Sequence, residues 1–434
     1  VSVTSVLAVA VFVGAYVLIA TEKLNRTAVA LGGAAAMVLI GVVRGEDVFF
    51  SEDTGVDWNV IFLLLGMMII VGILRQTGVF EFVAIWAAQR SRARPFRMMA
   101  LLIVITAVAS ALLDNVTTVL LVAPVTLLLC DRLALAPVPF LLAEAMASNI
   151  GGTATLIGDP PNIIIASRAG LTFNDFLVHL APVVVVLLGV FVLLAWLLWG
   201  RRLRYDPERA EAVMALTPRE TISDPRLLRR MLLILGAVLV GFLTHPLTGL
   251  DPSLVALLGA GASVLASRLP SEKFLADVEW ETLLFFAGLF VMVGSLVKAG
   301  IIGDLAGSLT DAIGENYLAA AQGILVGSAA LSGIVDNIPY VATMSPLVHD
   351  LVGPGAGLPP GRQSLWWALA LGADLGGNAT AIGASANVVI TGIAKRNDHP
   401  ISFWTFTRYG LIVTAATIGI CVPYVWLRYF VLAG

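Results

Sequence analysis

The chain has 434 residues, 59% of them hydrophobic and only 13% charged, with a mean hydropathy of +0.94 and a net charge of −3. That leaves far too little polar surface to enclose a water-soluble globule of this length, so the composition makes the chain an integral membrane protein. The small net charge says little about partners, and two cysteines, Cys130 and Cys421, form no metal-ligand spacing and no expected disulfide.

A helix needs roughly 20 apolar residues to cross a hydrocarbon core of about 30 Å. In chain order, such spans are predicted at 3–20, 26–43 and 58–76. The first has no basic flank and leads straight into a second span, which argues against a cleaved signal peptide. The next apolar stretch, 97–130, is split near its middle by Asp114-Asn115. Arms of about 16 residues would rise only about 24 Å as helix, which predicts a re-entrant hairpin. Spans at 138–167 and 176–199 complete a first half. Residues 201–230 are rich in arginine and carry Pro207, Pro218 and Pro225; they are predicted as a solvated cytoplasmic linker, with a partner-docking site as the alternative. The second half holds spans at 231–246, 252–268, 281–298, 365–394 and 405–432, and a second split stretch, 319–349.

The two halves are copies. Val56-Asp57-Trp58, Ser110, Asp114-Asn115 and Pro124 recur as Val278-Glu279-Trp280, Ser332, Asp336-Asn337 and Pro346, each pair 222 residues apart. Asn149-Ile150-Gly151-Gly152-Thr153-Ala154-Thr155 recurs as Asp374-Leu375-Gly376-Gly377-Asn378-Ala379-Thr380, now 225 apart. Five crossings plus a hairpin make each half odd, so the copies are expected in opposite orientations. Lys and Arg accumulate on the cytoplasmic side of membranes. With both termini extracytoplasmic, 21 of the 26 basic residues, including Lys23 and Arg26, fall inside. The expected fold is an all-α membrane protein of about 10 transmembrane helices plus two re-entrant hairpins in two inverted-topology repeats. Residues 1–200 form the first repeat, with the inner hairpin, and 231–434 the second, with the outer one.

Paired glycines with Thr, Asn and Asp inside a span, and Pro160-Pro161 in the first copy, weaken a helix by about 1 kcal/mol per glycine relative to alanine and predict that 138–167 and 365–394 are broken. Bare backbone at membrane depth is tolerated where it lines a cavity or is buried in protein. Two hairpin tips and two breaks are therefore expected to converge on one pocket near the midplane. Its candidate substrate-binding residues are Asn115, Thr117, Thr118, Thr153, Thr155, Asn162, Asn337, Asn378, Thr380, Ser385 and Asn387. Asp114, Asp159, Asp336 and Asp374 belong to the same elements, and each would cost roughly 2.5–3.5 kcal/mol at a helix centre. No Lys or Arg lies in the motif cores to pair with them; Arg168 and Lys395 sit at span ends. Unpaired buried carboxylates hold protons or coordinate cations, which makes these aspartates candidates for proton or sodium coupling. Plainer readings stand beside this one: Asp114 and Asp336 as helix caps, the glycines as close-packing sites, and Glu144 as a packing partner or a proton relay. The nine tryptophans, Trp58 and Trp280 among them, suit interface anchoring, and the four histidines carry no assigned chemistry.

At Leu113-Asp114-Asn115-Val116-Thr117-Thr118-Val119-Leu120, at Asn149 through Thr155 running into Gly158-Asp159-Pro160-Pro161-Asn162, and at their second-half versions, the chain resembles the ion transporter superfamily. Within it the likeness is to the branch of arsenite-efflux permeases and melanosomal P proteins. The resemblance implies a scaffold and a transport domain related by inverted repeats, with substrate held between hairpin tips and broken helices. Relatives that carry dicarboxylates with sodium have Ser-Asn-Thr at the tips; here Asp114 and Asp336 replace the serine, and Pro339-Tyr340 the second pair of threonines. An acidic pocket without bases suits a neutral polyhydroxy species, and the expectation is proton-coupled efflux of arsenite or antimonite across a bacterial inner membrane. No catalytic residue, metal or cofactor is expected beyond a proton or sodium gradient, and no nucleic-acid partner. A cytoplasmic ATPase and a homodimer stay open as partners. The competing readings are a sodium/proton antiporter or sodium-coupled dicarboxylate transporter of the same fold, an uncoupled channel, and an aspartate dyad of a membrane protease, for which no signature is present.

Overall fold

The computed structural model describes residues 3–21, 24–51, 54–314, 316–353 and 359–432; Lys23 lies outside them. Among the described residues every regular element is helical. The first half runs α1 (Val3–Ala20), α2 (Arg26–Leu39), α3 (Gly45–Phe50), α4 (Trp58–Arg75), α5 (Val79–Arg90), α6 (Pro95–Leu112), α7 (Asn115–Leu133), α8 (Val138–Gly152), α9 (Pro160–Ala169), α10 (Phe173–His179) and α11 (Ala181–Leu198). After α12 (Pro207–Met214), the second half runs α13 (Pro225–Thr248), α14 (Pro252–Ser267), α15 (Ser271–Leu275), α16 (Trp280–Lys298), α17 (Ile301–Ile313), α18 (Tyr317–Ser332), α19 (Asn337–Val352), α20 (Pro360–Gly376), α21 (Ser385–Arg396) and α22 (Phe403–Trp426).

Seven helical segments among the described residues are long and apolar enough to cross a membrane: Trp58–Arg75, Pro95–Leu112, Asn115–Leu133, Ala181–Arg202, Pro225–Thr248, Trp280–Lys298 and Phe403–Val431. Val3–Ile19, Arg26–Leu39, Pro252–Ser267 and Tyr317–Ser332 are shorter apolar helices. The arms of the first hairpin, α6 and α7, have 18 and 19 residues, longer than the arms read from the sequence. The extension comes from Pro95, which starts α6 where a missing N–H costs nothing, and from a left-handed Ala134 that ends α7. Helices α5 and α17 follow α4 and α16 and were not anticipated as elements. Each is entered through a glycine in the left-handed region, Gly78 (φ 78°) and Gly300 (φ 79°), 222 residues apart, which lets the chain turn sharply after a long span.

Packing exchanges elements between the halves. Helix α2 packs on α16 and α14 on α4, while α9 packs on α19 and α21 on α7. The first exchange rests on small residues: a Cβ on Gly66 would lie 2.7 Å from the backbone of Ala256, and one on Gly288 2.7 Å from that of Ala30. Within each half the entering hairpin arm lies along the first part of the broken helix, α6 on α8 and α18 on α20.

Most of the linker is exposed, as its reading as a solvated segment expects, but it is anchored at a few points. Helix α12 packs on α5 and α7 through Ala210 and Val213, both buried, because their spacing of three puts them on one face. Gln89 Nε2 donates to Leu216 O at 2.6 Å and Ser223 Oγ to Gln76 O at 2.7 Å, fixing the segment to the end of α5 and to the α4–α5 turn.

Candidate functional site

Both broken helices are built alike. The first opens between Gly152 and Pro160, and the second between Gly376 and Ser385 with one 3-10 turn, Gly377–Ala379. Thr155 Oγ1 donates to Ala111 O at 2.5 Å and accepts Gly158 N at 3.1 Å; Thr380 Oγ1 donates to Gly333 O at 2.6 Å and accepts Ile382 N at 3.3 Å. Asn162 Nδ2 reaches Gly152 O (3.3 Å) and Thr155 O (3.1 Å), as Asn387 Nδ2 reaches Gly377 O (2.8 Å) and Thr380 O (2.9 Å). Ser110 and Ser332 tie the ends of the entering arms to Ser148 O and Ala373 O, each at 2.6 Å. The physical need is plain: carbonyls freed by a break at membrane depth must find donors. Asn162 and Asn387 supply them within the breaks, while Thr155 and Thr380 donate to the carbonyls at the ends of the entering arms α6 and α18, so the donors of these four candidate substrate ligands are committed to the scaffold around the breaks. The glycines also serve close packing, since a Cβ on Gly151 would sit 2.1 Å from Ala107 O and one on Gly376 2.6 Å from the Ala329 backbone.

The tips and breaks meet at a buried carboxylate. Asp159 Oδ2 accepts Asn115 Nδ2 at 2.9 Å and Asn337 Nδ2 at 3.2 Å, so one oxygen joins the two hairpins. Asn115 also donates to Asn149 Oδ1 (3.2 Å), and Asn149 Nδ2 donates across to Asn378 Oδ1 (3.0 Å) and Asn387 Oδ1 (3.1 Å). Asp374, Asp336 and Asp114 lie within electrostatic range of Asp159. Asp374 sits beside Asn162 and Thr153, yet among the described residues no donor reaches either of its oxygens. The reason is that Asn162 is engaged as above and Thr153 Oγ1 donates to Asn149 O at 2.8 Å. Among the described residues, other buried atoms left without a partner include Asn115 Oδ1, Thr118 Oγ1, Asp159 Oδ1 and Asn162 Oδ1. The centre is thus rich in acceptors and short of donors, an arrangement that a proton or a small oxygen-seeking cation completes. No three His, Cys, Asp or Glu side chains among the described residues gather closely enough to hold a metal ion, so any cation here would draw on amide, hydroxyl and carbonyl oxygens as well.

At the tips the aspartates act as caps. Asp114 accepts Thr117 N at 2.7 Å and leaves Thr117 half-buried, while Asp336 Oδ1 accepts Ile338 N at 3.2 Å. The expectation of a site without bases is corrected at Asp336. Arg26 Nη1, at the first turn of α2, lies 3.1 Å from Asp336 Oδ2 and 3.0 Å from Ser385 Oγ, and Ser385 Oγ donates to the same Asp336 oxygen at 2.9 Å. Sequence reasoning assigned Arg26 to a cytoplasmic loop from the distribution of basic residues along the chain; its partner lies 310 residues away and it has no basic counterpart in the other half, so nothing local pointed to the pair. Two more residues were missed as site members. Asn149 occupies the position matching Asp374, a signal available in the repeat alignment; Glu279, in the Val-Glu-Trp motif at the start of α16, lies within electrostatic range of Asp114 and Arg26. Glu144 lies apart from this centre, buried between α7 and α8 with Thr126 donating to its Oε1.

A cavity of 220 Å³ lined by Arg26, Asp336 and Ser385 reaches the second tip. A larger one, 790 Å³, lies at the opposite ends of α9 and α19, bordered by Asp57, Ser167, Arg168 and His349, and none of the candidate site residues lines it.

The sequence profile of the family described as "Citrate transporter" matches residues 16–372 of this chain. The chain belongs to the citrate transporter family. An uncharacterized transporter of Mycobacterium tuberculosis is 59% identical to this family member over 428 residues, covering 99% of each chain. The 46 kDa membrane protein of Mycobacterium leprae is 54% identical over 431 residues, covering 99% of this chain and all of that one. The human P protein is 36% identical over an alignment 497 positions long, which takes in 96% of this chain and 59% of that longer protein. Among solved structures, the Alcanivorax borkumensis YdaH transporter shares the fold of this transporter-family chain, with a TM-score of 0.61 at 15% identity over 99% of each chain. None of these likenesses singles out the arsenite-efflux branch.

Proposed function

We propose that this chain is a secondary active transporter that couples a small hydrophilic solute to the movement of protons or sodium ions by alternating access. In this reading residues 1–200 and 231–434 are inverted repeats. The hairpins and broken helices of both form the moving part, and α2, α4, α14 and α16 form the frame. The observation that carries it is the shared Asp159 oxygen: both hairpin tips and both breaks meet at one buried, acceptor-rich centre. Uncompensated carboxylates at membrane depth are costly to fold and are kept where they bind or relay ions.

The cargo follows less directly. Proton-coupled efflux of arsenite or antimonite fits the amides and hydroxyls of the site, but the case against a carboxylate cargo was the absence of a base, and Arg26 removes it. The family's description adds citrate as the second cargo to try. Flux into proteoliposomes, measured separately for arsenite and citrate under an imposed proton or sodium gradient, tests the reading. Gradient-driven accumulation that disappears in Asp159→Asn is the expected result. Large uncoupled currents that persist in Asp159→Asn would replace the carrier with a channel.

A further inference from the structure

The two hairpin tips are matched in sequence but differ in charge. Asp114 and Asp336 occupy equivalent positions, and each caps the helix that follows it. Beyond the cap their surroundings diverge. Asp336 takes the Arg26 guanidinium and the Ser385 hydroxyl on its second oxygen. Asp114 has no ion pair among the described residues and lies within electrostatic range of another acid, Glu279. The positions matching Ser385 and Arg26 in the other half are Pro160 and the start of α14, where Pro252 follows Asp251. Neither can replace the hydroxyl or the guanidinium.

Arg26 is also held in place. Its guanidinium lies 5.3 Å from the centroid of the Phe285 ring, and α2 packs tightly on α16, which carries that ring. Among the described residues, the groups in contact with Asp336 are Arg26 on α2 and Ser385 on α21, and Tyr16 on α1 and Asp159 at the first break lie within electrostatic range of it. Arg26 is the one cation in that described set. A guanidinium keeps its charge at every physiological pH, so a carboxylate paired with it has little left to gain from a mobile ion.

We propose that Arg26 is a built-in cation that occupies the coupling position at the second hairpin tip, so that mobile coupling ions bind around Asp114, Asp159 and Asp374 and not at Asp336. This rests on the cation-coupled reading above and adds to it an asymmetry that the duplicated sequence would not lead one to expect: one of two matched carboxylates is excluded from the ion count. Arg26 acts here through Asp336, as a positioning residue.

The test counts cations on the purified full chain in detergent, using sodium-22 binding and proton uptake, with no transported solute present. Arg26→Gln should take up one more cation per chain than the wild type, Arg26→Lys should match the wild type, and Arg26→Gln/Asp336→Asn should return to the wild-type count. Asp336→Asn alone, with Arg26 intact, should leave the count unchanged, and this variant decides the matter if Arg26→Gln does not fold. Equal counts in Arg26→Gln and the wild type, or loss of one cation in Asp336→Asn, overturn the assignment. Failure of the underlying function looks different. A wild-type chain that binds no cation, or whose count and flux are untouched by Asp159→Asn, refutes cation coupling, while the Arg26 assignment is still decided by whether Arg26→Gln gains a cation.

Discussion

Asp159 offers the sharpest separation of structural from functional roles, because deleting its side chain and neutralising it isosterically do different things. In Asp159→Ala, Asn337 Nδ2 loses its acceptor and Asn115 Nδ2 keeps only Asn149. Leaving one buried donor unsatisfied costs about 1–3 kcal/mol, and losing one of two bonds a further 0.5–1.5 or so, for a total of about 2–4 kcal/mol. In Asp159→Asn an amide oxygen can still face both donors. Each bond falls from charge-assisted to neutral strength, about 1 kcal/mol weaker, and removing a buried charge whose other oxygen has no partner offsets part of that. The Asn variant should therefore stay within about 2 kcal/mol of the wild type and unfold at higher temperature than the Ala variant, as followed by tryptophan fluorescence in detergent. Gradient-driven flux should nonetheless fall at least about tenfold in both, since one lost ion contact of about 1.5 kcal/mol already gives that factor. An Ala variant as stable as the Asn variant would refute the tip-joining geometry. Retained coupled flux in Asp159→Asn would refute the ion role.

Gly151→Ala and Gly376→Ala place a methyl inside contact distance of a facing backbone and should each destabilise by about 1–3 kcal/mol or more. Gly323→Ala on α18, with nothing within 4 Å, should be neutral or stabilising by up to about 1 kcal/mol; thermal unfolding ranks the three. Thr155→Val and Thr380→Val remove matched pairs of bonds, so each should cost about 1–3 kcal/mol and the two losses should agree within about 1 kcal/mol; a large disparity would show that the breaks are not equivalent. Val213→Asp puts a charge where α12 meets α5 and α7, and should release the linker to proteolysis between residues 203 and 224 while leaving the membrane-embedded helices protected.

Particular residues show where the sequence could be read and where it could not. The hairpin tips and the two breaks were legible because local composition marks them: Asp-Asn inside an apolar run, and glycine pairs followed by Pro160-Pro161 or a polar stretch. The division of labour among Thr155, Asn162, Thr380 and Asn387 was not, since a hydroxyl or amide in a broken helix reads the same whether it satisfies a carbonyl or faces a solute. The anchoring of the linker escaped for a similar reason. Its arginines and prolines look like a solvated segment, and only the spacing of Ala210 and Val213 hints at a buried face.

By itself the sequence determined that the chain belongs in a membrane, that its key motifs recur at a fixed offset, and where the helices carrying them are interrupted. Those are consequences of hydropathy, register and backbone preference, which act along the chain. Only the tertiary structure decided which atoms meet. It made Asn149 the link between the halves, brought one Asp159 oxygen to both hairpins, and set Arg26 against Asp336 from 310 residues away. The duplicated pattern predicts two equivalent tips; the exchange of α2 and α14 between halves delivers a guanidinium to one tip and, among the described residues, none to the other, because a contact between distant elements depends on the packing that brings them together.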